Sequence, residues 1–169
     1  KKLLHGTQVN LPGKVVTAVF DDCVFVEEPN RSSAIRCVIA HPGVLQPGAV
    51  VAVTGRVGAR YGETVLTDVV VTPSGFDGLV RAIGTSCETF LKVGLDTMGL
   101  LVRVAGRVTR VGSGYFVLHD GCHALAPRGG GMGIEVQVPA GATLPAVDTY
   151  VSVEGIVCRE LVGSRTATV

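Results

Sequence analysis

The sequence predicts an all-β chain of two tandem five-stranded barrels joined by an ordered strap. Three observations carry that expectation: an internal repeat, period-two alternation of apolar residues along nearly every segment, and a glycine in the middle of each long first strand. Val9-Asn10-Leu11-Pro12-Gly13-Lys14-Val15 returns in pattern as Val102-Arg103-Val104-Ala105-Gly106-Arg107-Val108. Val24-Phe25-Val26 returns as Tyr115-Phe116-Val117, Ile35–Ile39 as Ile134–Val138, and Val51–Val57 as Val151–Val157. The offset runs 93, 91, 99 and 100 while the order is kept, so the loops absorb the differences.

Strands are expected near residues 8–19, 22–28, 33–40, 49–58 and 63–72 in the first copy. In the second they are expected near 100–111, 114–120, 133–138, 149–159 and 162–169. Gly13 and Gly106 would let each first strand bend and serve both halves of a small closed barrel. The domains read as 1–75, a strap at 76–98, and 99–169. The strap holds Leu79, Val80, Ile83, Phe90 and Leu91, too much apolar surface for a free linker, and is expected to cover an open barrel end.

Several stretches carry a resemblance: Gly13-Lys14-Val15-Val16-Thr17, Glu27-Glu28-Pro29-Asn30-Arg31-Ser32-Ser33, and Gly99 through Thr109. On these the chain resembles tandem oligonucleotide/oligosaccharide-binding (OB) folds, in particular the paired OB-like modules of secreted bacterial proteins. The resemblance implies Greek-key barrels more than any activity. It departs from the usual pattern at His41–Gly48, which is too short and too rich in Pro and Gly for the helix that often closes such a barrel.

Charged residues make up only 17% of the chain, and the mean hydropathy is +0.45. Few charges with many valines imply apolar side chains outside the cores. The net charge of +1 gives no general pull toward nucleic acid or anionic lipid. No apolar run approaches the ~20 residues of a membrane-spanning helix. Two Asn, three Gln and eleven Arg against four Lys fit either a thermophile or a GC-rich genome. A start at Lys1, without Met or a hydrophobic leader, reads as an exported, extracellular product whose signal peptide has been removed; a trimmed chain would look the same.

Strand parity places Phe25 and Ile35 inward, by analogy with Phe116 and Ile134. A hairpin about Asn30 then sets Cys23 opposite Cys37, at a spacing compatible with a buried disulfide, the bland reading being two packed thiols. Cys122–Cys158 is the first choice for a second bridge, leaving Cys87 free or linked to another chain; Cys87–Cys122 and Cys87–Cys158 stay open. The same parity turns Val24, Val26, Val38, Val50, Leu66 and Val70 outward, an apolar wall suited to self-assembly. The outer face of the second copy instead carries Arg103, Arg107, Tyr115, Val117, His119, Glu135, Gln137 and Glu154.

No catalytic constellation is visible, and the chain reads as a non-enzyme. His119, Cys122 and His123 lack the second ligand pair of a metal site, so no metal or cofactor is expected. A Cys–His nucleophile would need an orienting third group that cannot be named. Arg128-Gly129-Gly130-Gly131-Met132-Gly133 precedes a strand rather than a helix, which argues for a loop over a phosphate cradle. Asn30-Arg31-Ser32 is a glycosylation sequon of little weight by itself.

The function expected is that of an extracellular structural protein associating with its own copies, head to tail, into a filament. Strand addition by the Lys1–Gln8 lead or by the last strand would make the joint. The alternative is a binding module for single-stranded nucleic acid or oligosaccharide through Arg103, Arg107 and Tyr115. A third reading is a spacer cut from a larger secreted enzyme.

Overall fold

A computed structural model describes residues 3–76, 78, 80–91, 96–126, 128, 131–162 and 165–168. The alternating valines form strands throughout: β1 (Gln8–Phe20), β2 (Cys23–Glu27), β3 (Ala34–Val38), β4 (Ala49–Arg60) and β5 (Glu63–Phe76) in the first repeat. They close into a barrel in the order β1-β2-β3-β5-β4. The long first strand serves both neighbours, pairing with β4 from Gln8 to Val15 and with β2 from Val15 to Phe20. β5 completes the barrel by running antiparallel to β4 and touching β3 in parallel at Arg36↔Val65 and Cys37↔Leu66. The connection His41–Gly48 contains turns and no helix, as its Pro and Gly content requires.

The second repeat begins the same way. β6 (Ile83–Gly84) leads into a 3-10 helix (Cys87–Leu91), then β7 (Leu101–Gly112), β8 (Tyr115–His119), β9 (Ile134–Gln137) and β10 (Tyr150–Ile156). β7 again divides its pairing, between β10 and β8, and β6 adds in parallel beside it at Ile83↔Val102. Ile83, Cys87, Phe90 and Met98 of the strap pack on the second core around Leu100, Val102, Val108, Phe116 and Leu118.

The all-β class holds; among the described residues the first repeat closes into a barrel and the second forms an open sheet. The long fourth strand of the first repeat is replaced by β10 and a separate β11 (Arg159–Val162), which pairs with β12 (Arg165–Thr168) as a two-stranded sheet. Among the described residues, no strand bridges β9 and β10, where β5 stands in the first repeat.

Both repeats carry a bulge at the same place, and it sets which side chains are core. β1 shifts register between Val16 and Ala18, β7 between Val108 and Arg110, so Thr17 and Thr109 are the extra residues. Each threonine donates its hydroxyl to a carbonyl on the facing strand, Thr17 to Phe25 O at 3.3 Å and Thr109 to Val117 O at 3.5 Å. These pairings equate Val24 with Phe116 and Val26 with Leu118. The sequence match of Val24-Phe25-Val26 to Tyr115-Phe116-Val117 is one residue out.

A one-residue slip moves every side chain to the opposite face. Val24, Val26 and Leu66, expected on the outside, are therefore buried in the first core with Val16, Cys37, Val51 and Val53. Val38 and Val50 are half-buried, and of the six only Val70, 60% exposed, faces solvent. The expected apolar outer wall is not there.

The hairpin register also separates the first two cysteines. Glu27 pairs with Ala34, Val24 with Cys37 and Cys23 with Val38, so Cys37 points into the barrel and Cys23 out of it. The expected Cys23–Cys37 bridge is not formed, nor is Cys122–Cys158; all five cysteines are thiols.

The two mid-strand glycines are needed for different reasons. Gly13 has φ of 63° and sits where β1 shifts register against β4 between Leu11 and Lys14. At Gly106 a Cβ would lie 2.6 Å from the carbonyl oxygen of His119 on β8. Gly106→Ala is expected to lower stability in urea by about 1–3 kcal/mol, the usual cost of an overpacked core. Gly84→Ala, where a Cβ meets nothing within 4 Å, should stay close to wild type.

Candidate functional site, a cleft between the two sheets

The face of β2 and β3 that points out of the first barrel carries Cys23, Phe25, Glu27 and Arg36, and all four are buried. Part of the cover comes from the second repeat. Glu27 Oε1 accepts a hydrogen bond from the Leu101 amide at 2.6 Å, and Ala34 packs against the second core. Arg36 is 1% exposed, forms an ion pair with Glu63 at 3.4 Å and stacks over the Phe25 ring at 5.1 Å. Glu63 also accepts from the Arg159 amide at 3.3 Å, which ties β11 to the first barrel. Breaking one partner of a buried pair of this kind leaves an uncompensated charge.

The corresponding face of the second repeat is covered by its own loop. Tyr115 and Val117 are buried with Ala126, and the Arg128 guanidinium lies 4.3 Å over the Tyr115 ring. Arg128 also reaches Glu135 at 3.2 Å, and Gln137 donates to the same Glu135 oxygen at 2.7 Å. Burial pushes the Glu135 carboxyl above its usual range, with Arg128 opposing. Its other oxygen, Oε2, is buried with no hydrogen-bond partner.

Tyr115 is thus not the outward stacking platform expected from parity alone. The parity holds, but the loop beyond β8 closes over the ring. Arg103 and Arg107 do face solvent, yet Glu154 binds the first and Asp148 the second, at 2.6 Å. The three residues of the expected ligand face are therefore already engaged within the chain.

What remains open is a cleft of about 1050 Å³ beside β9 and β10. One wall is Phe20, Phe25 and Arg36 of the first barrel; the other is Phe90, Phe116, Ile134, Val136, Val151 and Val153 of the second repeat. Four of the chain's five Phe residues line it. The Cys23 thiol in its wall is pushed up to about 12 by burial and by neighbouring Asp22, which makes it a poor nucleophile at neutral pH. An arrangement of apolar walls beside unfilled strand edges can take up an extended chain or an apolar body. No local pattern marks the cleft, because β10 alternates like any other strand and only the strand pairing leaves the gap.

The cysteines regroup as well. Cys87 of the 3-10 helix and Cys122 of the loop after β8 lie with Asp120, their ligating atoms all within 4.8 Å of one another. Burial pushes the Cys87 thiol well up, and the Asp120 charge adds to this. Burial would also raise Asp120, but the amides of Cys87 and Cys122 hold its carboxyl below the ordinary range. His119 Nε2 lies 3.2 Å from the Cys122 carbonyl, and His123 turns to Glu88 at 3.9 Å.

Glu27 offers a pH test of the joint between the repeats. Burial raises its carboxyl above the usual 4.5, against the Leu101 amide and Arg31. The native chain then holds that proton to higher pH than the unfolded chain does. Its contribution to stability is full below the unfolded value and is lost as pH rises through the folded value. Glu27→Gln keeps the acceptor for Leu101 and removes the charge. It is expected to melt above wild type at pH 7 and to lose that advantage near pH 4 in calorimetry; a wild type more stable at pH 7 would show that the joint uses the carboxylate. No family model matches the chain, and no curated protein or solved structure matches it.

Proposed function

We propose that the chain is a non-enzymatic extracellular structural protein whose tandem OB-like units associate head to tail into a filament. The joint is a strand from one copy laid into the cleft of the next. The single observation that carries this reading is the contrast between repeats: β5 fills the space between β3 and β4 in the first, and the equivalent space between β9 and β10 holds an apolar cleft. A strand entering there would gain main-chain hydrogen bonds on two edges and bury alternate side chains against the second core.

The donor is the lead before β1. Leu3 and Leu4 are 53% and 81% exposed, and a turn from Leu4 to Thr7 separates them from β1. Donor on the first unit and acceptor on the second make a heterologous contact, which repeats into a ring or an open filament. The apolar wall expected on the first barrel no longer supports assembly, because Val24, Val26 and Leu66 are core, Val38 and Val50 are half-buried, and Val70 is left alone in solvent. Binding of a single strand or a glycan at Arg103, Arg107 and Tyr115 has less in its favour, since Glu154, Asp148 and Arg128 already occupy those side chains.

Light scattering and negative-stain imaging test the reading. Wild-type particles should grow with protein concentration. The double variant Leu3→Asp, Leu4→Asp should stay monomeric with an unchanged melting temperature, and a peptide of residues 63–76, the sequence of β5, should shorten wild-type particles. A strictly monomeric wild type would overturn self-association and leave the cleft to residues of the same chain.

A further inference from the structure

We propose that Cys87, Asp120 and Cys122 form a binding site for a thiophilic divalent cation, zinc by preference, that clamps the strap to the second sheet. Two sulfur donors and one carboxylate oxygen mutually within 4.8 Å are spaced to surround one ion. Zinc–sulfur and zinc–oxygen bonds of about 2.3 and 2.0–2.2 Å put tetrahedral donors some 3.5–3.8 Å apart, within reach of small side-chain rotations. The donors come from two segments far apart in sequence, the 3-10 helix of the strap and the loop after β8. Both thiols are buried, while Asp120 lies at the surface and leaves a way in.

The surroundings are those of an oriented ligand set. The Cys87 amide donates to Asp120 Oδ2 at 2.8 Å, and the Cys122 amide donates to Oδ1 at 3.2 Å. The carboxylate is therefore held between the two cysteines by their own backbones. Each of its oxygens keeps a lone pair for a cation, and ligating carboxylates are characteristically hydrogen-bonded in this way. Two thiolates select a soft ion over calcium or magnesium, which take oxygen cages. Water takes the fourth tetrahedral place. Binding converts two thiols to thiolates and releases two protons, with no change of oxidation state.

Such an ion would fix the strap that carries Phe90, a residue of the cleft wall, but the site stands independently of what the cleft binds. The experiment is a Co2+ titration of the full chain, reduced and freed of metal, followed by displacement with Zn2+. Expected are one cobalt per chain, tetrahedral d–d absorption and a thiolate-to-cobalt charge-transfer band that zinc abolishes. Cys87→Ala should lose the charge-transfer band, and Asp120→Asn should weaken zinc binding by at least ~10–100-fold. Native mass spectrometry should show one zinc in place of two protons. If Cys87→Ala does not fold, the wild-type spectrum and Asp120→Asn decide. Absence of a cobalt–thiolate band in the folded, reduced protein would overturn the site, as would an affinity unchanged in Asp120→Asn. The proposal also falls if air oxidation joins Cys87 to Cys122 and the reduced form takes up no metal.

Discussion

The register of β2 on its two neighbours governs the first barrel, inside and out. The Thr17 bulge and the pairing of Glu27 with Ala34 send Val24, Val26 and Cys37 inward, and Cys23, Phe25, Glu27 and Arg36 outward. Period-two geometry allows no intermediate: a shift by one residue would exchange the two sets. With this register the core is aliphatic, and the outward face acquires a buried arginine and a buried glutamate. Those charges demand partners, which restricts what can lie against that face.

Glu63 and the Phe25 ring meet the demand of Arg36, and the Leu101 amide meets that of Glu27. The equivalent position of Arg36 in the second repeat is Glu135, with Val117 in place of Phe25. There the cover is the chain's own loop, through Ala126 and Arg128. One architecture has thus closed its β2–β3 face twice, once with a neighbouring unit and once with a loop. A face closed in this way is not free to stack bases or sugars.

Those edges differ between the repeats. Where β5 is seated, the first barrel is closed; among the described residues no strand joins β9 to β10, and the cleft lies beside them. Unpaired strand edges invite another strand, and an apolar interior rewards one whose side chains alternate. The strap contributes to both core and cleft, since Phe90 and Cys87 pack on the second core and Phe90 also lines the cleft.

Much of the fold was legible in the residues. Alternation located every strand of the first barrel within a few positions, and Gly13 and Gly106 marked the two long strands that each serve two partners. Parity in the second repeat was readable too, because Tyr115 and His119 carry polar tips while Phe116 and Leu118 are wholly apolar. In the first repeat Val24, Phe25 and Val26 are all apolar, so pattern alone did not distinguish inside from outside there, and the assembly wall and the Cys23–Cys37 bridge went with it. Local alternation and turn chemistry were enough for the all-β class, the duplication and the strand positions. The register, the covered faces, the meeting of Cys87 with Cys122 and the gap between β9 and β10 emerged with the folded chain. Each of those depends on hydrogen bonds and contacts between segments distant along the chain, and no local pattern records them.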